Sequence, residues 1–288
     1  MKLNRTVAKP DVIDEHPCFS EEASHSFGRV HLPVAPKCNI SCNYCDRRYD
    51  CVNESRPGVT SRVITPEEAV GRVGQVTERF PEISVVGIAG PGDPLYNDET
   101  FETFHLIKER YPHLHRCLST NGLLLSEKME SLLCSGVDTM TVTLNAVSPV
   151  IGAKIYSFVC YRSERMEGTE AAEVLLDNQL TGINMAVKEG IAVKVNTVMI
   201  PTINDNHIIE IAGRIEKLGV SLQNIVPLIP LYRFSHLKTP SPYDRKRLQD
   251  ECAGIIPQMT HCRQCRADAV GLLSQDMSRE LFNAPCSR

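Results

Sequence analysis

Apolar residues recur along this chain in two alternating rhythms. Short β-branched runs at 29–35, 83–89, 114–119, 137–144, 191–200 and 222–229 read as strands, several of them apolar without interruption, as strands buried on both faces are. Between them, apolar positions at helical spacing predict helices over 66–80, 99–110, 127–134, 169–188, 206–218 and 243–254. The first helix has a written start: Thr65 as N-cap, Pro66 at the first position and Glu68 to complete a capping box. Gly136 and Gly190 stop the third and fourth helices. Six strand–helix units in succession predict a parallel sheet with right-handed crossovers, and the lack of a clear seventh or eighth unit points to an α/β fold of the partial (β/α)6 barrel type. A doubly wound open sheet is the alternative. Residues 1–28 are polar and irregular and read as an arm, residues 29–254 as the barrel, and residues 255–288 as a tail returning to the mouth.

In such barrels the chemistry sits on the loops after the strands. The turn Gly90-Pro91-Gly92-Asp93-Pro94 follows the second strand, Ser119-Thr120-Asn121-Gly122 ends the third, and Thr143 and Asn145 end the fourth. On the fifth strand Lys194 and Asn196 share one face by the two-residue period. Polar groups on the inner face of an apolar strand line a site or form a hydrogen-bonded layer in a filled barrel, because each unpaired buried group costs a few kcal/mol.

The loop after the first strand carries the strongest signal. Cys38, Cys42 and Cys45 stand as C-x₃-C-x₂-C, with Tyr44 just before the third. Thiolates this close suit an iron–sulfur cluster or zinc. Three ligands leave one iron of a four-iron cluster open; the other reading is a zinc knuckle lacking its fourth ligand. The spacing resembles the cluster loop of the radical S-adenosylmethionine (SAM) enzymes. That resemblance implies that the open iron chelates SAM and that reduction cleaves it to a 5′-deoxyadenosyl radical. It further implies that the turn at Gly90, Gly92 and Asp93, which departs from the family's usual Gly-Gly-Glu-like pattern, binds the SAM amino group. Tyr44, Ser119, Asn121, Thr143, Asn145, Lys194 and Asn196 are the remaining candidate cofactor-binding residues.

Composition narrows the picture. The 288 residues carry a net charge of −4, which gives no footing for nucleic acid or an anionic membrane as obligatory partner. No apolar run reaches about 18 residues and no signal peptide is evident, so a cytoplasmic location is expected. Twelve cysteines in a reducing compartment read as metal ligands or inert thiols rather than disulfides, in an oxygen-poor cell if several clusters are exposed. Cys134, Cys160, Cys252 and Cys286 have no partner at ligand spacing and read as small buried hydrophobes or inert thiols. Cys262 and Cys265 form a C-x₂-C pair, Cys117 shares a strand face with Ser119, Cys51 follows the cluster loop, and Cys18 sits on the arm.

Together, the cluster loop, the Ala89-to-Pro94 turn, the Ser119-to-Gly122 strand end and the tail from Cys262 to Gly271 resemble the NifB family of nitrogenase iron–molybdenum cofactor biosynthesis enzymes, in its short form without a NifX-like domain. The resemblance implies three four-iron clusters: the SAM cluster, one on Cys18, His31 and Cys51, and one on Cys117, Cys262 and Cys265. It implies methyl transfer from SAM to a cluster sulfur, then fusion of the two auxiliary clusters around an interstitial carbide with one sulfur added, giving an eight-iron core. Glu54, as the base, and Cys117 are the candidate catalytic residues. Expected partners are an iron–sulfur cluster donor, an electron donor and the carrier or scaffold proteins of nitrogenase assembly. Two other readings stay open here: another radical SAM enzyme with auxiliary clusters, of peptide-modifying or molybdopterin-precursor type, and a non-enzymatic iron–sulfur carrier.

Overall fold

The computed structural model describes residues 10–53, 58–278 and 281. In chain order its elements are α1 (Pro10–Asp14), α2 (Ala23–Ser26), β1 (Gly28–His31), β2 (Ile40–Cys42), α3 (Pro66–Arg79), β3 (Ile83–Ile88), α4 (Asp98–Arg110), β4 (His115–Thr120), α5 (Met129–Cys134) and β5 (Thr139–Thr143). Then follow α6 (Pro149–Ile155), β6 (Tyr156–Tyr161), β7 (Glu164–Met166), α7 (Gly168–Lys188), β8 (Ala192–Met199), α8 (Ile208–Lys217), β9 (Leu222–Pro227), α9 (Pro242–Ala253) and β10 (Val270–Gly271). Strands β1, β3, β4, β5, β8 and β9 lie side by side in that order, all parallel. The sheet curls into a half-barrel with its helices outside, the (β/α)6 arrangement that the hydrophobic pattern predicts.

Local chemistry accounts for these elements. Thr65 Oγ1 accepts from the Glu68 amide at 3.2 Å and the Thr65 amide donates to Glu68 Oε2 at 2.9 Å, so the capping box forms as written in the sequence. All six residues of β3 are buried, because helices cover one face and the lumen the other. Val70, Val73 and Val76 of α3, Phe104 and Ile107 of α4, and Ile211 and Ile215 of α8 pack into one core with Val86, Leu118, Val142 and Val195 of the strands. Along β4 burial alternates: Arg116, Leu118 and Thr120 are buried, while Cys117 and Ser119 are half-buried and line the lumen.

Three features differ from the sequence pattern. The first strand, expected over 29–35, ends at His31, since Pro33 has no N–H to continue the ladder. The pattern predicts no element between Leu144 and Gly168, where the chain forms α6 and two strands of a small antiparallel sheet, β2-β6-β7. The tail adds a strand, β10, that the pattern does not announce. It bonds to the start of β9 through Met259 N to Gln223 O (2.8 Å), then runs antiparallel to β1 as β10. The arm meets the opening residues of β3 and β4: Ser84 Oγ donates to the Glu15 carbonyl (2.7 Å), and Glu15 Oε2 lies 3.4 Å from His115 Nε2. No helix among the described residues is long and apolar enough to cross a membrane.

Candidate active site and metal centres

The cluster loop is pinned from two sides. The small sheet pairs Ile40 with Val159 and Cys42 with Tyr156, and the Asn43 amide donates to the Ile155 carbonyl at 2.8 Å. From the barrel side the Gly90–Asp93 turn presses against the loop. The Asp93 amide donates to Lys37 O at 2.8 Å, and a Cβ on Gly92 would lie 2.1 Å from that oxygen, so only glycine fits there. Together these contacts bring Cys38, Cys42 and Cys45 to one wall of a cavity faced by Gly92, Asp93, Ser119, Thr120, Asn121 and Thr143.

Asp93 is the buried anion of this cavity. It accepts from Thr120 Oγ1 (2.9 Å), the Asn121 amide (2.6 Å) and the Leu95 amide (3.0 Å). Burial pushes its carboxyl up to about 6 against the pull of those donors. Burial likewise pushes the Cys38 thiol up to about 12 and holds Cys42 and Cys45 above the ordinary thiol range. Such thiols become ligands when metal charge offsets their burial and their protons leave. Asn121 Nδ2 sits 3.9 Å from Cys38 Sγ, and Gln179 of α7 ties the Asn121 and Thr143 carbonyls together at 2.7 and 2.9 Å.

A second cavity lies in the lumen. Cys18 and His16 enter from the arm, His31 and Arg29 from β1, Cys117 from β4, Lys194 and Asn196 from β8, and Cys262 and Cys265 from the tail. His31 is the last residue of β1, at the mouth end of its strand. Its Nδ1–H donates to the Arg266 carbonyl at 2.9 Å, leaving Nε2 with a free lone pair. Burial, reinforced by the Arg29 charge, lowers His31 to about 4, so the ring is neutral. His16 has the opposite tautomer: its Nδ1 accepts from the Cys18 amide at 3.1 Å, which puts the proton on Nε2. Burial raises the Cys18 thiol to about 12, the nearby Lys194 ammonium working against it.

The structure groups the sequence candidates in part differently from the ligand sets implied by resemblance. Cys18 lies with Cys117, Cys262 and Cys265, and His31 shares their cavity. Cys51 lines the other cavity, beside Cys38, Cys42 and Cys45, with its amide bonded to the Pro91 carbonyl at 3.0 Å. Tyr44 and Asn145 line neither cavity: Asn145 Nδ2 donates to Tyr44 Oη at 2.7 Å and Asn145 Oδ1 accepts from the Val198 amide, so both brace the strand ends. Glu54 lies outside the described residues, as does Cys286. Cys134 is exposed, Cys160 half-buried and Cys252 buried.

Arg29, Arg47 and Asn53 escaped the sequence reading. Arg29 alone left a legible signal, standing two residues from His31 on the same strand face. The donor set fits iron–sulfur clusters, since soft thiols dominate both cavities. Among the described residues no three His, Cys, Asp or Glu side chains converge on a single-ion site. That is compatible with a four-iron cluster, whose thiolates surround a larger body than one ion.

Residues 32–215 match the Radical SAM superfamily. The chain is 47% identical over 285 residues to the FeMo cofactor biosynthesis protein NifB of Methanocaldococcus jannaschii, covering 98% of this chain and 94% of that one. The chain belongs to the NifB family of the radical SAM superfamily. It is also 48% identical over 278 residues to NifB of Bradyrhizobium diazoefficiens, matching 94% of this chain and 56% of that protein. It thus spans little more than half the length of that bacterial NifB. Among solved structures, Streptococcus suis SuiB superimposes with a TM-score of 0.56 at 15% identity, over 80% of this chain and 47% of SuiB, a likeness of fold alone. The fold and cluster loop are therefore those of radical SAM enzymes, with a SAM-binding four-iron cluster the family's cofactor.

Proposed function

We propose that this chain builds the carbon-containing iron–sulfur core of the nitrogenase iron–molybdenum cofactor, with two four-iron clusters as substrates in its lumen. The observation that carries this reading is the shared wall of the two cavities: Asn53, Ala89 and Ser119 line both. A group leaving SAM at the cluster loop would need to cross only that wall to reach clusters held by the lumen ligands. An electron carrier or storage protein has no use for such an arrangement.

In this reading the resident cluster on Cys38, Cys42 and Cys45 supplies the electron that cleaves SAM. The chain's own groups do the rest. The Asp93 carboxylate receives the SAM ammonium, and Asn121 and Thr143 hydrogen-bond along the same wall. Cys18, Cys117, Cys262, Cys265 and His31 hold the substrate clusters, with Cys51 at the boundary between the two sets. SAM bound at the cluster loop would supply both the methyl group for a cluster sulfur and the radical that takes hydrogen from it, and loss of the remaining protons, with electrons from the donor protein, would leave the carbon within the fused substrate clusters as one sulfur is added. Glu54, next in sequence to Asn53 on the shared wall, is the proposed base. Burial excludes water from the radical and its target. The chain would receive clusters and electrons from donor proteins and release its product to a carrier or scaffold of nitrogenase assembly.

The test is anaerobic reconstitution with SAM carrying a labelled methyl carbon. We expect about twelve iron atoms per chain, and label recovered in an extracted cluster of about eight irons. About four irons, with SAM cleaved and no label in any cluster, would defeat the proposal in favour of another radical SAM chemistry.

Between His31 and His16 the tautomers favour His31 as the proposed nitrogen ligand, because the His16 Nδ1 lone pair already accepts from the Cys18 amide while His31 uses its Nδ1–H as a donor and keeps the Nε2 lone pair. Pulsed EPR of the reduced protein is expected to show nitrogen coupling that disappears in His31→Ala while SAM cleavage persists. Coupling that survives the substitution would move the ligand to another ring.

A further inference from the structure

Arg29 is a guanidinium almost wholly inside the protein, 2% exposed, on the cavity face of β1. Its Nη1 donates to the Gly271 carbonyl and to the Leu272 carbonyl at 2.8 Å, fastening the tail where β10 lies against β1. Its Nη2 donates to Cys265 Sγ at 3.3 Å. Its buried Nε–H has no partner among the described residues, and the carboxylate facing it, Asp276, stands 4.0 Å from Nη2. A buried cation needs closer compensation than that. A neutral thiol is a weak acceptor, whereas a thiolate is an anion that this fork is placed to receive.

We propose that Arg29 is a positioning residue for the cluster ligated by Cys265: one guanidinium fixes the tail strand and donates a charge-assisted hydrogen bond to the ligand sulfur. The bond stabilises the more negative, reduced state and so raises the cluster's potential. The tail strand is thereby coupled to the cluster, because the same side chain grips Gly271 and Leu272. Lysine cannot reproduce this, since a point charge on a flexible stem lacks the planar fork that serves three acceptors at once.

The inference rests on the proposed role of Cys262 and Cys265 as cluster ligands, and the experiment separates the two. Full-length wild type, Arg29→Lys, Arg29→Gln and Cys262→Ala/Cys265→Ala are reconstituted anaerobically, then compared by iron content and by EPR-monitored redox titration of the auxiliary clusters. In either Arg29 variant the ratio of reduced to oxidised auxiliary cluster at a fixed potential should fall about tenfold, which is about 59 mV for a one-electron couple. Loss of about four irons with the SAM cluster intact would equally support the assignment. Arg29→Lys keeps the buried charge and guards against misfolding of the glutamine variant. Unchanged iron and unchanged potential in Arg29→Lys would overturn the role of Arg29 while leaving the ligand assignment standing. Full iron content in the double cysteine variant would overturn the ligand assignment itself.

Discussion

Replacing Cys38, Cys42 and Cys45 together by alanine is expected to abolish formation of 5′-deoxyadenosine and to remove about four iron atoms per chain. The loop should keep its shape, because its geometry does not depend on the thiols. It hangs on the β2-β6 pairing, the Asn43-to-Ile155 bond and the contact of Gly92 with Lys37. Each Cys→Ala change removes one sulfur, a cost on the order of 1 kcal/mol where the site is buried. The variant should therefore fold, retain its lumen iron and fail only in SAM cleavage. SAM turnover in this variant at the wild-type rate would defeat the assignment of the cluster loop. Cys51→Ala sharpens the same measurement. Cys51 lines the cavity of the three loop cysteines and not the lumen cavity. If it ligates an auxiliary cluster, its loss lowers iron while SAM cleavage continues.

The half-barrel was legible because its signals are local and periodic. The apolar run at 83–89, the capping box at Thr65 and the shared face of Lys194 and Asn196 each translate into structure within a few residues. The loop cysteines were legible for the same reason, their spacing being short. What escaped depends on contacts between distant segments. The small sheet behind the cluster loop joins 40–42 to 156–166, and no pattern within either piece announces the other. Tyr44 and Asn145, both candidate cofactor-binding residues in the sequence, bond to each other across 101 positions of chain. The grouping of Cys18 with Cys117 and the tail pair follows from the arm and tail reaching the lumen from separate directions, which residue spacing cannot encode.

The tail prediction depends on that long-range geometry. Replacing Cys262 and Cys265 by alanine is expected to remove about four iron atoms and to end carbon transfer into a cluster, with SAM cleavage preserved. Both residues line the lumen cavity, whereas neither lines the cavity of the cluster loop. The tail itself should stay docked, since its anchors are elsewhere: the main-chain bonds to Gln223, the pairing of Val270 and Gly271 with β1, and the His31 bond to the Arg266 carbonyl. Both cysteines are half-buried at the cavity edge, so the substitutions cost little packing. For this reason the double substitution is a cleaner probe than deleting the chain after Gly254. Deletion would also strip the edge of β1 and remove the buried Ile256, Met259, Val270 and Leu273. Iron, 5′-deoxyadenosine and label in the extracted cluster are measured on one preparation. Iron reduced by about four with undiminished SAM cleavage places one substrate cluster on the tail. Iron unchanged, with carbon transfer intact, would mean that the lumen clusters are held by Cys18, Cys117 and His31 without the tail's thiols.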